Sequence, residues 1–268
     1  MITLPNATDH EAVSENYKTQ DNLSVRINLH QKYDKNLKWS HWIFENYHFF
    51  KGCNILELGC GNGAMWEGQI ESLPEGVSVT LTDFSEGMVD IVRNKFGAYP
   101  NFIVKRMDIQ NIDFNDKTFD VVIANSMLYH VPDLPKAVSE AYRALKPGGL
   151  FYCSTFGVNG QQKFFRDVFR KFNPEITVFE EDPYPFVLQN GYEILREKFE
   201  NVVRYDYIDS LDVTDAKDIY DYVMSMVKMS SVGKEKTVGL PEYFESMKDG
   251  NGIISVPREY CTFISQKR

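Results

Sequence analysis

At 268 residues, 43% of them apolar and 25% charged, the chain has the length and hydrophobic content of one large domain with a sizeable core, which excludes a disordered chain. Its formal charge of -9 sets it against a nucleic-acid backbone, so no DNA or RNA partner is expected. No run of about 18 apolar residues is present, and residues 1–20 lack the basic start and apolar stretch of a secretory signal. The expectation is a cytoplasmic protein, a monomer or homodimer, that keeps off membranes.

In chain order, the first fifty residues read as a helical cover. Trp39, Trp42, Ile43, Tyr47 and Phe50 are spaced as an apolar stripe, and Tyr17, Arg26, His30 and Tyr33 lie on the polar stretch before it. From Cys53 to Phe156 short apolar runs alternate with helix-length amphipathic stretches, the pattern of parallel strands joined by crossover helices. The runs fall at 54–58, 77–83, 102–108, 119–125 and 149–156, each rich in Val, Ile, Leu or Phe as a strand buried on both faces requires. Before the last of them, Leu134, Ala137, Val138, Ala141 and Leu145 line one face of a helix that Lys146-Pro147-Gly148-Gly149 ends.

Beyond Phe156 an aromatic, turn-rich stretch runs to about Tyr184, followed by a helix near 186–199, a strand near 201–208 and a last strand at 259–266. The roughly 50 residues between those strands are too long for a structureless connection, so they carry helices of their own, one through 216–229. The division is thus a lid at 1–50 and a domain at 51–268, with a helical insertion at about 209–258. Cys53, Cys60, Cys153 and Cys261 are scattered, with no CxxC pair and no histidine at ligand spacing; neither a metal site nor a disulfide framework is expected.

The most informative stretch is ELGCGNG at 57–63, where the first strand hands over to a helix. Gly59, Gly61 and Gly63 allow a tight turn and close approach of backbone to a nucleotide-like ligand. The run GCGNGA also satisfies the dinucleotide fingerprint, so the loop alone does not choose a cofactor. Asp83 ends the second strand, where a carboxylate accepts from ribose hydroxyls, and Asp108 closes the third, within reach of an adenine amino group. Glu57 puts negative charge where a dinucleotide would place its diphosphate, which favours a cationic ligand.

Together with TDFSEGM (82–88), MDIQNIDF (107–114), FDVVIANSMLYHVPD (119–133) and ALKPGGLF (144–151), the loop resembles the ordered motifs of class I S-adenosylmethionine-dependent methyltransferases. The resemblance is strong over about 50–156 and weak elsewhere. It implies a Rossmann-like α/β fold: a seven-stranded, mostly parallel sheet with helices on both faces. The cofactor it implies is S-adenosyl-L-methionine. In that frame Gly59, Cys60 and Gly61, with Glu57, approach its methionine part, Asp83 holds the ribose, and Phe84 and Met88 pack near the adenine. Asp108 and the Ile109 backbone read the adenine edge, Asn125 lies near the transferred methyl, and a lid residue, Tyr17, Arg26 or Tyr33, meets the cofactor carboxylate.

Methyl transfer from a sulfonium to a small-molecule acceptor needs alignment more than acid–base chemistry, and alignment alone supplies about 7 to 11 kcal/mol in well-oriented systems. His130 and Tyr129, just past the fourth strand, are the candidate catalytic residues, with loop organisation as the other role for His130. Met224, Met226 and Met229 with Tyr220 and Tyr222 form either an adaptable pocket wall or plain core. Two other functions remain open: a nicotinamide-dependent oxidoreductase, although no Tyr-Lys or His proton-donating set is evident, and a protein that binds S-adenosylmethionine without transferring methyl.

Overall fold

The computed structural model describes residues 8, 10–19, 21–34, 39–177, 184–227, 229 and 232–268. The secretory-signal reading of 1–20 and the aromatic stretch at 178–183 fall partly or wholly outside them. Three helices come first: α1 (His10–Asn16), α2 (Asp21–Tyr33) and α3 (Trp39–Glu45). The sheet then begins with β1 (Asn54–Leu58), β2 (Ser78–Asp83), α4 (Glu86–Phe96), β3 (Phe102–Arg106), β4 (Phe119–Asn125), α5 (Leu134–Ala144) and β5 (Leu145–Phe156). It closes with α6 (Gln161–Phe172), α7 (Gly191–Arg196), β6 (Glu200–Val213), α8 (Ala216–Met224), α9 (Leu240–Ser246) and β7 (Ile254–Gln266). Among the described residues no helix is long and apolar enough to cross a membrane.

The seven strands lie in the order β3-β2-β1-β4-β5-β7-β6. All are parallel except β7, which runs antiparallel to both β5 and β6. Between β1 and β4 the strand order reverses direction, and ligands of open α/β sheets sit outside the carboxyl ends of strands at such a point. Register brings the functional tips level there, with Leu58 opposite Thr82 and Asp83 opposite Arg106. The inner strands are apolar on both faces because both are covered. Leu56, Val122 and Phe151 pack toward α5 and α7, whereas Ile55, Val79 and Val121 pack toward Trp66, Val92 and Phe96.

Helix starts follow local chemistry. Asp133 caps α5 by accepting from Lys136 N, with Pro135 in the first turn, and Ser85 caps α4 by accepting from Met88 N. After β1, where the sequence pattern points to a helix, the structure has only two 3₁₀ turns, Ala64–Trp66 and Ile70–Ser72. Gly63, Gly68 and Gly76 all adopt positive φ in this segment, and Pro74 interrupts it, so no longer helix can run.

The stretch read as turn-rich after Phe156 instead holds α6, whose Phe165, Val168 and Phe169 are buried. Its neighbouring half-buried Phe164 and Phe172 blur the periodicity that would have revealed it. The helix expected near 186–199 is shortened to α7, and the one through 216–229 stops at Met224. The two last strands are longer than their apolar runs suggest, pairing from Glu200↔Gln266 to Val213↔Ile254. Their outer halves, with α6, α8, α9 and Leu29 of α2, enclose a separate hydrophobic cluster that roots α2.

Candidate active site

A cleft of about 450 Å³ opens at the carboxyl edge of β1 to β4, roofed by α2 and the turn before it and closed at its far end by α6, α8 and β7. Gly59 and Gly61 line it at φ of +68° and +56°. A Cβ on Gly59 would come within 2.9 Å of the Met127 side chain, and one on Gly61 within 3.1 Å of Leu23 on the lid. Gly63 lies outside the lining: its Cβ would fall 2.6 Å from the Phe96 ring, so this glycine lets the loop pack on α4.

Asp83 ties the loop to β2. Gly61 N donates to its Oδ2 at 2.8 Å and Ser85 N to its Oδ1 at 2.9 Å, and the Phe84 backbone adds a further hydrogen bond to the carboxylate. Burial pushes its carboxyl above the ordinary value. Glu57, 1% exposed, forms the cleft floor: Trp66 Nε1 donates to Oε2 at 2.5 Å and Asn125 Nδ2 to Oε1 at 3.3 Å. Burial drives its pKa up to about 7 against those two bonds, and the Asp83 charge adds to the rise.

Asn125 is fixed at the tip of β4, its Nδ2 also 2.6 Å from Tyr47 Oη and its Oδ1 accepting from Ser154 Oγ at 3.2 Å. Asp108 is both turn-former and lining residue, since its Oδ1 accepts from Gln110 N at 2.8 Å while the side chain stays on the cleft. Cys60, Phe84 and Ile109 line the cleft as well. Two expected members do not. Met88 is fully buried on the inner face of α4, and Tyr33 points away, donating to Asp218 on α8 at 2.5 Å.

From the N-terminal segment, Tyr17, Arg26 and His30 line the cleft. Tyr17 Oη meets His130 Nε2 at 3.2 Å, and its carbonyl accepts from Ser85 Oγ at 2.8 Å. The Arg26 guanidinium lies 4.8 Å over the Tyr17 ring and donates to Asn16 Oδ1 at 3.2 Å. Tyr129 packs with Phe156 at 4.8 Å between ring centroids, and Phe156 with Tyr184 at 4.8 Å, making an aromatic wall. Burial holds the Tyr129 phenol well above its ordinary pKa, so at neutral pH it can donate a hydrogen bond but not take a proton as a phenolate base. Of the methionine cluster Met226 lines the cleft beside Tyr222, whereas Met224 and Met229 belong to the core.

Residues that the sequence reading did not single out complete the far end: Gln161 and Gln162 at the start of α6, and Glu259 and Tyr260 on β7. Besides Asp34, which Arg258 neutralises, the described lining carries four carboxyl groups, those of Glu57, Asp83, Asp108 and Glu259, against the one guanidinium of Arg26. That balance favours a cationic occupant over a diphosphate.

Residues 56–153 match the methyltransferase domain family. Demethylmenaquinone methyltransferase of Staphylococcus epidermidis is 30% identical over 139 residues, 48% of this chain and 58% of that protein. The Symbiobacterium thermophilum enzyme of the same name is 33% identical over 119 residues, 43% and 47% respectively. The chain thus spans about half the length of the curated relatives it matches. In fold it is similar to a SAM-dependent methyltransferase from Aquifex aeolicus (TM-score 0.53, 13% identity, 92% of this chain and 99% of that one). It is similar also to the [4+2]-cyclase SpnF (TM-score 0.59, 13% identity, 98% and 97%). Motifs, strand order and family match agree: residues 56–153 form a methyltransferase domain on a seven-stranded Rossmann-like sheet.

Proposed function

We propose that this protein transfers the methyl group of S-adenosylmethionine to a small planar acceptor held at the aromatic end of the cleft. The observation that carries the reading is the position of Asp83, bonded to the Gly61 amide in a cleft whose charged lining residues are mostly carboxylates. The residues fit the cofactor: a Cβ at Gly59 or Gly61 would crowd the cradle, the Asp83 carboxylate lines the cleft where ribose hydroxyls would reach it, and Asp108 and Ile109 would face the adenine. Glu57 and Asn125 would stand nearest the charged methionine part, and Arg26 or Tyr17 nearest its carboxylate.

When bound, the cofactor supplies an activated methyl on a cationic sulfur, with a leaving group that needs no metal or acid. The chain's own contribution is alignment and exclusion of water. The lid closes the glycine loop from above through Leu23 and Tyr17, and the wall of Tyr129, Phe156 and Tyr184 holds a flat acceptor. His130, engaged with Tyr17, acts as a latch between lid and sheet. The names of the curated relatives, demethylmenaquinone methyltransferases, support an aromatic acceptor of quinone type.

Calorimetry with S-adenosylhomocysteine and NADH tests the cofactor reading. Tight binding of the first and none of the second is the expected result, and the reverse would assign an oxidoreductase. Labelled S-adenosylmethionine with reduced quinones then tests transfer, and saturable binding with no labelled product would leave a non-catalytic binder.

A further inference from the structure

At the far end of the cleft Gln161 is 6% exposed and placed between two tyrosines. Its Oε1 accepts from Tyr260 Oη at 2.7 Å and from Tyr222 Oη at 3.1 Å. Its Nε2 is buried and has no hydrogen-bond partner among the described residues. An unmet amide donor in an apolar surrounding costs about 1 to 3 kcal/mol, so its retention beside the aromatic wall asks for a ligand.

A chain of donors that begins at a buried cation favours the amide oxygen as the atom facing the tyrosines. Arg258 can only donate, and its Nη1 lies 3.4 Å from Nδ1 of His30, so Nδ1 must be the accepting nitrogen. A neutral His30 then carries its proton on Nε2, and that nitrogen faces Tyr260 Oη at 3.4 Å. Burial, with the Arg258 charge adding to it, depresses His30 to about 3, which keeps the ring neutral. Receiving a proton from His30, the Tyr260 hydroxyl gives its own along the short 2.7 Å contact to Gln161, which presents its oxygen there. The nitrogen is left as a donor.

We infer that Gln161 recognises the methyl acceptor, its Nε2 donating a hydrogen bond to an oxygen carried on the acceptor's aromatic ring, with His30 and Tyr260 holding the amide in that orientation. The inference rests on the functional reading above and narrows it: the acceptor is an oxygenated aromatic, a quinol, quinone or phenol, seated oxygen-first against α6. Arg258 and His30 act through Tyr260 and are positioning residues.

The test uses the full chain saturated with S-adenosylhomocysteine and three probes of similar shape: 1,4-naphthoquinone, 1-naphthol and naphthalene. The wild type is expected to bind an oxygenated probe about tenfold more tightly than naphthalene, the worth of one hydrogen bond that pairs a buried donor. Gln161→Leu should bring that ratio to within about twofold, and Gln161→Glu, which keeps an acceptor for both tyrosines but loses the donor, should do the same. Tyr260→Phe, which frees the amide to rotate, should reduce the ratio only in part. Unchanged affinity for S-adenosylhomocysteine in each variant shows that the cofactor end is intact. A wild type indifferent to the oxygen, or a Gln161→Glu variant that keeps the preference, overturns the inference while leaving the methyltransferase reading in place. Failure of the wild type to bind S-adenosylhomocysteine overturns both.

Discussion

Arg258, near the start of the last strand, forms an ion pair at 2.5 Å with Asp34, just past the end of α2, and both side chains are almost wholly removed from solvent, at 0% and 2% exposed. The guanidinium is shared: its Nε donates to Asp209 Oδ1 at 2.6 Å, and Tyr207 Oη donates to Asp34 Oδ1 at 3.1 Å. The end of α2 is therefore tied to the outer sheet by a buried network, while Lys32 and Tyr33 tie it to Asp218 on α8.

Removing the cation from that network leaves two buried carboxylates unpaired. Arg258→Leu should destabilise the protein by roughly 3 to 5 kcal/mol, the usual cost of breaking a buried pair from one side. Asp34→Asn should cost less, because Asp209 still pairs. Thermal unfolding measures both effects, and hydrogen exchange over 21–33 should rise in Arg258→Leu before global unfolding. Equal protection of α2 in variant and wild type would show that the lid is anchored elsewhere.

Asp83→Ala removes the acceptor for Gly61 N and for any ribose hydroxyl. Affinity for S-adenosylhomocysteine should fall by about 1 to 3 kcal/mol, with Asp83→Asn between variant and wild type. Calorimetry reads this directly. An unchanged dissociation constant would remove Asp83 from the site.

Glu57 should make affinity for S-adenosylmethionine depend on pH. Its folded-state value is about 7, above the ordinary 4.5, because burial favours the neutral acid. The fold therefore holds more protons than the unfolded chain between those values, and Glu57 contributes stability that is present below about pH 4.5 and lost as pH rises through 7. A cationic ligand has the opposite preference, for the carboxylate. Affinity for S-adenosylmethionine should thus fall as pH drops below 7, and Glu57→Gln should flatten that profile while melting higher than the wild type at pH 8 and less so at pH 5. A variant with the wild-type pH profile would mean that Glu57 does not sense the ligand.

Much of the fold was legible because the inner strands are covered on both faces, which writes continuous apolar runs such as 54–58 and 119–125 into the sequence. The helix face of Leu134, Ala137, Val138 and Ala141 was legible for the same reason, one clear buried stripe. Asp83 and Asp108 could be named because each sits at a strand tip, where position along the chain nearly determines position in space. Gln161 could not. Its meaning comes from Tyr222 and Tyr260, 61 and 99 residues away, and from the unmet nitrogen that only coordinates reveal. Tyr33 was misplaced because the polar face of α2 turns partly to the cleft and partly to α8, and nothing local distinguishes the two.

Gly63 separates packing from binding in the glycine loop. Alanine there must hold φ near +76° and push its Cβ to 2.6 Å from the Phe96 ring. A cost of about 1 to 3 kcal/mol follows from overpacking and backbone strain. Denaturant unfolding should show it, with S-adenosylhomocysteine affinity of the folded protein unchanged. Gly61→Ala, at the cleft surface against Leu23, should instead weaken that affinity.

The pair of Tyr17 and His130 decides whether the histidine latches the lid or serves as a base. As a latch, its Nε2 contact with Tyr17 Oη is what matters, so Tyr17→Phe and His130→Ala should each weaken S-adenosylhomocysteine binding, and the double variant should be no worse than the stronger single. Turnover at saturating cofactor should then fall by less than about tenfold in either variant, whereas loss of a general base costs about 100-fold or more. A His130→Ala variant that loses turnover on that larger scale while Tyr17→Phe stays near wild type would move His130 from the lid to the chemistry.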